Sequence, residues 1–539
     1  MKRLLSVLAV LVLIIILLSA CARPAPSPTS PAAPTTPPPG TTAPVPKATP
    51  TPTAPAAGTP RYGGVLKTTH SSTLSSLISL NNVRHTWPNK ALYDTFLRID
   101  ENGELQPNLI SDWKLGTDMK SLTLTVRKGV KFHDGTDLNA ASVKWNIEQR
   151  KAARLGDYME VESVSVLDDY TVRLNFSKFE NTLLIALWHF GGMPHSPTAY
   201  EKDGKDKAQW NPVGTGPFKL VSFTPDVSVK LERFDGYWQK GKPYLDKFEY
   251  HIIVDPTTRD LALQKGEVDA SQSVTPETVI ELEKKGWPVI TGPMDAYEVL
   301  VMDTANADSP FGNKKVRAAL EHAIDRPAVA KAVGLGRFQE ALNQMAPAGN
   351  YAYNPNIKGL PYDPKKARQL MAEAGYPNGF KTWIMRPFRN TDSTVAVASY
   401  LKEIGIEAEI RIVNPGILYG FLRENGWKTG LFPRSYRMEP DWLAFLNSVV
   451  STKVQENVSV LRPPGFQGLL DQALAATDAA SKSKASQQVV KMMSDELMHI
   501  PLWGSLPVIM HRDGVHNLEY FMPWGPNKLW SPADVWMSK

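Results

Sequence analysis

Apolar and polar residues alternate along several short stretches of this chain, a pattern that is typical of half-buried strands. One such stretch opens residues 122–145, where the alternation at 122–126 predicts a strand. Asn139 is a suitable N-cap for the helix that the apolar spacing after it predicts. In the turn between these elements His133 stands beside Asp134, without a nucleophile or a third ligand at short range. We therefore expect a structural turn here rather than a catalytic pair.

The rest of the chain predicts hairpins first, and helices alternating with strands later. Alternating segments at 161–167 and 170–176 predict one hairpin, and residues 218–231 predict another. From about residue 296 helical patterns alternate with strand patterns, which indicates an α/β class with mixed sheets. The other predicted elements are a helix from Pro256 to Gly266, a strand at 268–270, a helix between Asp363 and Gly375, a helix at 392–404, a strand at 406–412 and helices at 466–477 and 481–498.

The first residues have the pattern of a secretory signal. Met1-Lys2-Arg3 precedes an apolar run over 4–18, which is short for a membrane span. The run ends in Leu18-Ser-Ala-Cys21, where small residues precede the single Cys of the chain, as in bacterial lipoprotein signals. We expect residues 1–21 to be such a signal, with lipid on Cys21. The alternative is a simple membrane anchor with an incidental Cys.

Residues 22–60 consist almost wholly of Pro, Thr, Ala and Ser, which predicts an extended tether without a core. The charged residues of the first sixty are all cations: Lys2, Arg3, Arg23 and Lys47. The formal net charge therefore falls from +6 for the whole chain to +2 for residues 61–539. A charge so close to zero gives little support to nucleic-acid binding.

Residues 61–539 exceed the length that one hydrophobic core usually serves, so two or more lobes are expected. This part of the sequence shows no internal repeat and no second apolar span. We expect it to fold outside the membrane.

Several segments of this globular part, taken together and in order, resemble one protein family. Each segment is weak evidence alone, and their number and order carry the resemblance. The chain resembles the family 5 extracellular solute-binding proteins of bacterial ABC importers, the peptide- and nickel-binding group. The segments are Leu18-Ser-Ala-Cys21, Tyr93-Asp94, Leu105-Gln-Pro-Asn-Leu109, Val126-Arg-Lys-Gly-Val-Lys-Phe-His-Asp-Gly135, Gly214-Thr-Gly-Pro-Phe218, Tyr237-Trp238, Pro243-Tyr-Leu-Asp246, Gly266-Glu-Val-Asp269, Val316-Arg-Ala-Ala-Leu320, Ala323-Ile-Asp-Arg326, Tyr362-Asp-Pro-Lys-Lys-Ala367 and Glu373-Ala-Gly-Tyr-Pro377.

The resemblance implies an α/β, two-lobed periplasmic-binding-protein-like fold (type II, cluster C) with mixed sheets and an extra subdomain in the first lobe. The first lobe is expected over residues 61–295 plus 505–539, with the subdomain at about 94–210. The second lobe is expected over 296–504. Solute contacts from both lobes would favour the closed state of such a clamp.

The implied function is that of a membrane-tethered, extracytoplasmic solute-binding component of an ABC importer. It would capture a peptide or another small organic solute by hinge closure and deliver it to the permease subunits. We expect a monomer that is lipid-anchored on the extracytoplasmic membrane face or in a periplasm. We expect no cofactor, no metal and no nucleic-acid partner.

Two positions of the resemblance bear on the solute. Peptide-binding relatives use an Asp ahead of an Asp-Pro pair to bind the α-amino group, and aligning Glu439-Pro440 on that pair places Tyr436 there. This argues against ordinary peptides and for a small organic anion or a non-standard peptide. Dipeptide-binding relatives grip the solute carboxylate with an Arg in a turn that Arg386-Pro387-Phe388 resembles. The arginines expected to make the pocket cation-rich are Arg386, Arg389, Arg434 and Arg437. The alternative for each of them is a solvated or ion-paired arginine.

Aromatic residues near the cleft-bordering segments of the family are further candidates, because ring faces bury ring-like or sugar-like solutes. Core packing is the alternative for each of them. The candidates are Trp87 with its neighbour His85, Trp188, Tyr297, Trp383, Trp427, Tyr436 and Trp503, among which His85, Trp87 and Trp503 are favoured.

An enzymatic function has little support in the sequence. It contains no Gly-x-Ser-x-Gly, no His-Glu-x-x-His and no phosphate loop ending in Gly-Lys-Ser/Thr. His189 and His195 lie near each other among apolar residues, but their spacing suits no helical metal site. We expect a binding protein. The alternatives are a tethered extracellular hydrolase and a transporter-independent sensory or chaperone-like binding lipoprotein.

Overall fold

The order of strands and helices follows the hydrophobic pattern of the sequence, with strands dominating the first half of the chain. The computed structural model of the protein describes residues 58–74, 76–81, 87–100, 104–153, 158–292, 294, 296–341, 344–386, 392–413, 418, 420–437, 441–453, 456–521 and 531–538. The strands are β1 Val65–His70, β2 Leu97–Ile99, β3 Leu105–Pro107, β4 Ile110–Leu115, β5 Ser121–Val126, β6 Val161–Asp168, β7 Thr171–Phe176, β8 Phe218–Thr224, β9 Ser228–Arg233, β10 Lys247–Ile252, β11 Ala270–Gln272, β12 Val289–Thr291, β13 Ala296–Met302, β14 Gln339–Glu340, β15 Phe380–Arg386, β16 Ile406–Ile412, β17 Gly430–Arg437, β18 His499–Ser505, β19 Val508–His511, β20 Val515–His516 and β21 Trp536–Met537. The α-helices are α1 Trp87–Leu92, α2 Ala140–Ala152, α3 Thr182–Trp188, α4 Pro197–Ala208, α5 Pro256–Lys265, α6 Pro276–Lys284, α7 Lys314–Ala323, α8 Arg326–Val333, α9 Pro364–Glu373, α10 Asp392–Glu403, α11 Trp442–Val450, α12 Phe466–Leu474 and α13 Ala479–Asp495.

Two large mixed sheets organise the molecule. The first sheet has the strand order β12-β19-β11-β1-β10-β9-β8, and the second has the order β14-β18-β13-β17-β15-β16. A third sheet, β4-β5-β7-β6, is antiparallel and packs its apolar face against α2 and α3. The α/β class with mixed sheets is therefore confirmed.

Local sequence signals account for most of these elements. The two predicted hairpins form as β6–β7 and β8–β9. Asn139 caps α2, since its side chain accepts a hydrogen bond from the Ser142 N–H at 2.9 Å. Gly266 ends α5 in the left-handed conformation, which a residue without Cβ adopts at little cost. The strand expected at 268–270 lies two residues later, as β11, because Val268 packs into the apolar cluster beneath α5 and α6.

Helices cover both faces of the second sheet. Apolar residues of α11, α12 and α13 pack on one face, which we call the α11–α13 face. Apolar residues of α7, α8, α9 and α10 pack on the opposite face, which we call the α7–α10 face. A sheet enclosed in this way can offer a solute only its strand ends.

The chain passes between the two large sheets at residues 291–296 and 505–508. The two crossing segments lie side by side, since the Gly292 N–H donates to the Pro507 carbonyl at 3.1 Å. In the first sheet β1, β10, β11 and β12 share one direction, and the crossing leaves at their carboxyl ends. In the second sheet β15, β16, β17 and β18 share one direction, and both crossings join the sheet at their carboxyl ends. The carboxyl-end edges of both sheets therefore meet at the crossing, which is where open α/β sheets bind ligands.

None of the helices in the described parts of the chain combines the length and the apolar character needed to cross a bilayer. The predicted signal with Cys21, and residues 22–57 of the predicted tether, fall outside the described residues.

Candidate functional site

Alternation along the strands separates the predicted site residues of the second sheet into two groups. Tyr297, Trp383, Arg434 and Tyr436 share the α11–α13 face with core residues of that side. Trp503 belongs to the α7–α10 face, and strand alternation places Arg386 on that face as well. The structure therefore brings these residues to one sheet but not to one pocket.

Arg386 is the last residue of β15 and stands at the carboxyl-end edge of the second sheet. Its guanidinium donates to Glu298 Oε1 at 2.9 Å, and the two side chains are 18% and 10% exposed. Burial raises the pKa of Glu298 above its ordinary value, although Arg386 favours the ionised form. Trp503 is the registered neighbour of Glu298 on β18. Arg386, Glu298 and Trp503 thus form a charged, aromatic-flanked set near the crossing.

The sequence reasoning did not select Glu298. A signal for it was present, because Glu298 is the single charged residue in the otherwise apolar strand Ala296–Met302. A lone carboxylate in a strand that is buried along its whole length needs a partner, and such groups often serve a site. Its partner lies 88 residues away in the sequence, so the pair itself could not be identified from the pattern.

The expected cation-rich pocket is a set of compensated charges in the described residues. Arg434 donates to Glu456 Oε1 at 2.6 Å and to Asn457 Oδ1 at 2.5 Å, while its guanidinium lies 5.0 Å from the Tyr436 ring centre. Arg437 is exposed at the end of β17. Arg389 lies outside the described residues.

Tyr436, one residue before the end of β17, is buried in the core beneath α11. It is 1% exposed, its ring packs 5.1 Å from Phe445, and its hydroxyl is 3.4 Å from His499 Nε2. Burial raises the pKa of the Tyr436 hydroxyl. A neutral phenol therefore occupies the position at which the resemblance implied a carboxylate.

The remaining aromatic candidates have mainly packing contacts. Tyr297 and Trp427 are buried in the α11–α13 core, and Trp188 in that of the third sheet. Trp383 lies three residues before the end of β15, and its indole N–H donates to the Lys428 carbonyl at 3.1 Å. Trp87 begins α1 and is partly buried against the first sheet, and its neighbour His85 lies outside the described residues.

His133 and Asp134 hold a turn, as predicted. His133 Nδ1 accepts from the Gly214 N–H at 3.3 Å, so Nε2 carries the proton and donates to the Gly216 carbonyl at 3.0 Å. Burial lowers the pKa of His133 to about 4. Asp134 accepts from the Ser196 hydroxyl at 2.6 Å. The two side chains therefore hydrogen-bond to other segments of the fold, His133 to the Gly214–Gly216 segment and Asp134 to Ser196.

Two further signature motifs, Tyr93-Asp94 and Tyr237-Trp238, lie beside this turn and its glycine-rich partner segment. Asp94, fully buried, accepts from the Tyr237 hydroxyl at 3.1 Å and from the Trp238 indole at 2.7 Å. Burial raises the pKa of Asp94 to about 7. Gly216 packs so closely on the backbone at Leu92 that a Cβ would lie 2.5 Å from the Leu92 carbonyl carbon. These motifs therefore build a structural junction.

A second set of contacts joins the third-sheet region to the second-sheet region. The Asn181 side-chain amide, just before α3, donates to the carbonyls of Ala473 at 2.8 Å and Ala476 at 3.1 Å. Ala473 lies in the last turn of α12 and Ala476 two residues beyond its end, where helix carbonyls accept additional donors. Lys453 lies 3.5 Å from Glu180 and adds an ion pair across the same boundary. We call these contacts the α3–α12 bridge.

Metal chemistry finds no support in the part of the chain that the structure describes, where no group of three or more His, Cys, Asp or Glu side chains is arranged to hold an ion.

Comparison with known proteins decides the family. A model of the bacterial extracellular solute-binding proteins, family 5 (Middle), matches residues 104–441. This chain belongs to that family. The glutathione-binding protein GsiB of Shigella flexneri serotype 5b is 30% identical over 432 residues, covering 77% of this chain and 83% of that protein. Family 5 proteins are binding proteins rather than enzymes, and the homologues are periplasmic binding proteins of ABC transporters.

Solved structures confirm the two-lobed type II fold. The ABC transporter-associated periplasmic binding protein DppA of Helicobacter pylori, in complex with the peptide STSA, superposes with a TM-score of 0.77 at 26% identity. It covers 89% of this chain and 99% of its own. A dipeptide-binding protein from Pseudoalteromonas sp. SM9913, in complex with Met-Leu, gives a TM-score of 0.75 at 22% identity and covers 88% of this chain and 100% of its own. The lobe boundaries at residues 295 and 505 remain predictions.

Proposed function

We propose that this family 5 protein captures a peptide-like solute bearing a carboxylate between its two lobes and delivers it to an ABC permease. The observation that carries the proposal is the Arg386–Glu298 pair at the carboxyl-end edge of the second sheet. A planar guanidinium binds a carboxylate through two parallel hydrogen bonds, and a half-buried setting strengthens such bonds.

Glu298 narrows the class of solute. Because it balances the charge of Arg386, a simple anion meets a carboxylate beside the guanidinium. A solute that carries an acidic group together with amino or amide N–H groups complements both members of the pair. With Tyr436 in place of a second carboxylate, a non-standard peptide or an amino-bearing organic acid fits this set better than an ordinary peptide.

The relatives agree with this class. GsiB, at 30% identity, is named for glutathione, and the 26%-identical DppA structure holds the peptide STSA. Both are peptides with free acidic groups, so a peptide-like acid is the solute class to test first.

Calorimetry on protein stripped of solute by unfolding and refolding tests the proposal. The titrants are reduced glutathione, Met-Leu and Ser-Thr-Ser-Ala. We expect glutathione to bind with a micromolar or lower Kd, and Met-Leu at least about tenfold more weakly, a difference of about 1.4 kcal/mol. Equal or tighter binding of Met-Leu would contradict a non-standard peptide. Failure of all three titrants would contradict a peptide-like acid.

Two arginine variants separate the proposed contact from general electrostatics. Arg386→Ala should weaken binding far more than Arg437→Ala, because Arg386 is largely buried at the strand-end edge and Arg437 is exposed. Equal losses would mean that the solute senses only the overall positive potential.

We also propose that Cys21 carries lipid and that residues 22–60 tether the lobes to the extracytoplasmic face of the membrane. The support is the small-residue pattern before Cys21 and the Pro-rich composition after it. Cys21→Ser should release the protein from the membrane fraction into the soluble extracytoplasmic fraction. Unchanged membrane retention would favour a simple transmembrane anchor.

A further inference from the structure

Three buried polar side chains of the first sheet have an atom without a hydrogen-bond partner among the residues that the structure describes. The atoms are Thr68 Oγ1, His70 Nδ1 and Gln272 Nε2. The residues are 2%, 3% and 8% exposed. Buried polar atoms in native proteins nearly always find a partner, so three orphans in one place call for an explanation.

The three residues lie together on one face of the sheet. Thr68 pairs with Ala270 across β1 and β11, and this parallel register continues to place His70 beside Gln272. Leu66, Ala270 and Ile509 share the same face and form its apolar core. His70 and Gln272 are the last residues of their strands, so the group reaches the carboxyl-end edge at the crossing.

The opposite face of the same strands is satisfied. The Thr69 hydroxyl lies 2.7 Å from the Ser271 hydroxyl, and both residues are buried. Within β1 and β11 the unpartnered atoms therefore lie on the apolar-core face, whereas in the adjacent β10 His251, in register with Thr69 on the opposite face, also has an unpartnered Nε2.

We propose that Thr68, His70 and Gln272 are the first lobe's half of the solute-binding site and hold an uncharged polar group of the solute, an amide or a hydroxyl. This inference rests on the proposed function, since it assigns the second wall of the same cleft. A hydroxyl, an imidazole nitrogen and an amide N–H₂ offer donors and an acceptor without formal charge.

The imidazole of His70 fits an uncharged subsite. Burial lowers the pKa of His70 to about 4, so the ring is neutral at neutral pH. Its Nε2 lies 3.3 Å from the Ser72 hydroxyl, which leaves Nδ1 for the solute. The cleft then has a charged wall at Arg386 and Glu298 and a neutral polar wall on the first sheet. The expected solute has an acidic end and, at the other end, an amide or hydroxyl group.

The test compares Thr68→Val and Gln272→Met with Thr69→Val as the matched control. In solute-stripped protein, removing an unpartnered polar atom should leave Tm unchanged or raise it by about 1–3 °C. Thr69→Val breaks a satisfied pair and should lower Tm. In calorimetry with reduced glutathione and with Ser-Thr-Ser-Ala, Thr68→Val and Gln272→Met should each weaken binding about tenfold or more, and Thr69→Val should not.

Two outcomes decide against the subsite. A fall in Tm for Thr68→Val like that of Thr69→Val means a structural hydroxyl. Unchanged Tm with unchanged affinity means that the orphans face no solute. If neither peptide binds the wild type, the test rests on Tm alone: a fall for Thr68→Val and Gln272→Met like that for Thr69→Val contradicts the subsite. If Arg386→Ala leaves binding intact while Gln272→Met weakens it, the charged wall fails and the neutral wall stands, so the two proposals are separable.

Discussion

His133 shows how a residue with catalytic chemistry becomes a structural one. Its two ring nitrogens bind the backbone of Gly214 and Gly216, which fixes one neutral tautomer. The bonds join the turn of residues 129–135 to a glycine-rich segment that has no room for side chains. In this part of the family signature, hydrogen bonds and close packing therefore account for the side chains that the sequence places there.

The buried, neutral state of His133 predicts a pH dependence. Its pKa is about 4 in the folded protein and about 6.5 in the unfolded chain, so the unfolded state binds more protons between these values. The free energy of unfolding therefore falls as the pH drops from 6.5 toward 4, by up to about 1.4 kcal/mol per pH unit for this residue. Urea denaturation of wild type and His133→Gln from pH 7.5 to 4.5 should give free energies of unfolding that approach each other as the pH falls. Parallel curves would show that His133 is accessible to protons in the fold.

Glu298 marks the limit of residue-level prediction. The resemblance singled out Arg386, and the structure then placed it at the end of β15, a strand that was not predicted. Its partner could not be inferred, because strands β13 and β15 are separated by β17 in the sheet and by a long stretch of chain. Tyr436 shows the same limit, since alternation predicts a strand but not which face the helices will cover.

At the scale of single elements, helix caps were predictable because they depend on a few consecutive residues. Asn139 and Ser142 exchange side-chain to backbone bonds at 2.9 and 3.0 Å, a capping box for α2. Asn139→Ala should lower the free energy of unfolding by about 1 kcal/mol, measured by urea denaturation. Solute affinity should stay at the wild-type value, because α2 covers the third sheet and not the strand-end edges. A loss of affinity would mean that the third-sheet region transmits strain to the site.

The α3–α12 bridge predicts an effect on affinity without contact to the solute. Asn181 donates two hydrogen bonds to α12 carbonyls across the boundary between the third-sheet and second-sheet regions. If these bonds exist only in the closed state, Asn181→Ala removes about 1–2 kcal/mol from closure, and Kd rises about 5- to 30-fold.

Asn175→Ala is the matched control for the bridge. The Asn175 amide bonds to Ser163 and Ser165 within the third sheet, so its loss leaves closure unchanged. Calorimetry on both variants checks the prediction. Equal Kd values for Asn181→Ala and wild type would show that the bridge also holds in the open state.

At the scale of the whole molecule, the fold was predictable from an ordered set of motifs, and the site only in part. Hairpins and caps follow from neighbouring residues, whereas the first sheet pairs β1 with β10 and β11, about 180 and 200 residues further on. That long-range pairing places Gln272 beside His70, and no local pattern contains it. The strand-end edges that we propose as the walls of the cleft could therefore be named only from the structure.

The two walls of the cleft define the central claim: a solute with an acidic end is held between Arg386–Glu298 and the first sheet. Replacing both charges together, as Arg386→Met with Glu298→Gln, avoids leaving either one buried without its partner. The double variant should therefore fold with near wild-type Tm and lose only the charged wall.

Native mass spectrometry of freshly purified protein tests this claim most directly. The wild type should carry one molecule of a small organic acid, which is released on denaturation. The folded double variant should carry no bound solute. A solute retained equally by both proteins, or a solute without an acidic group, would contradict the account.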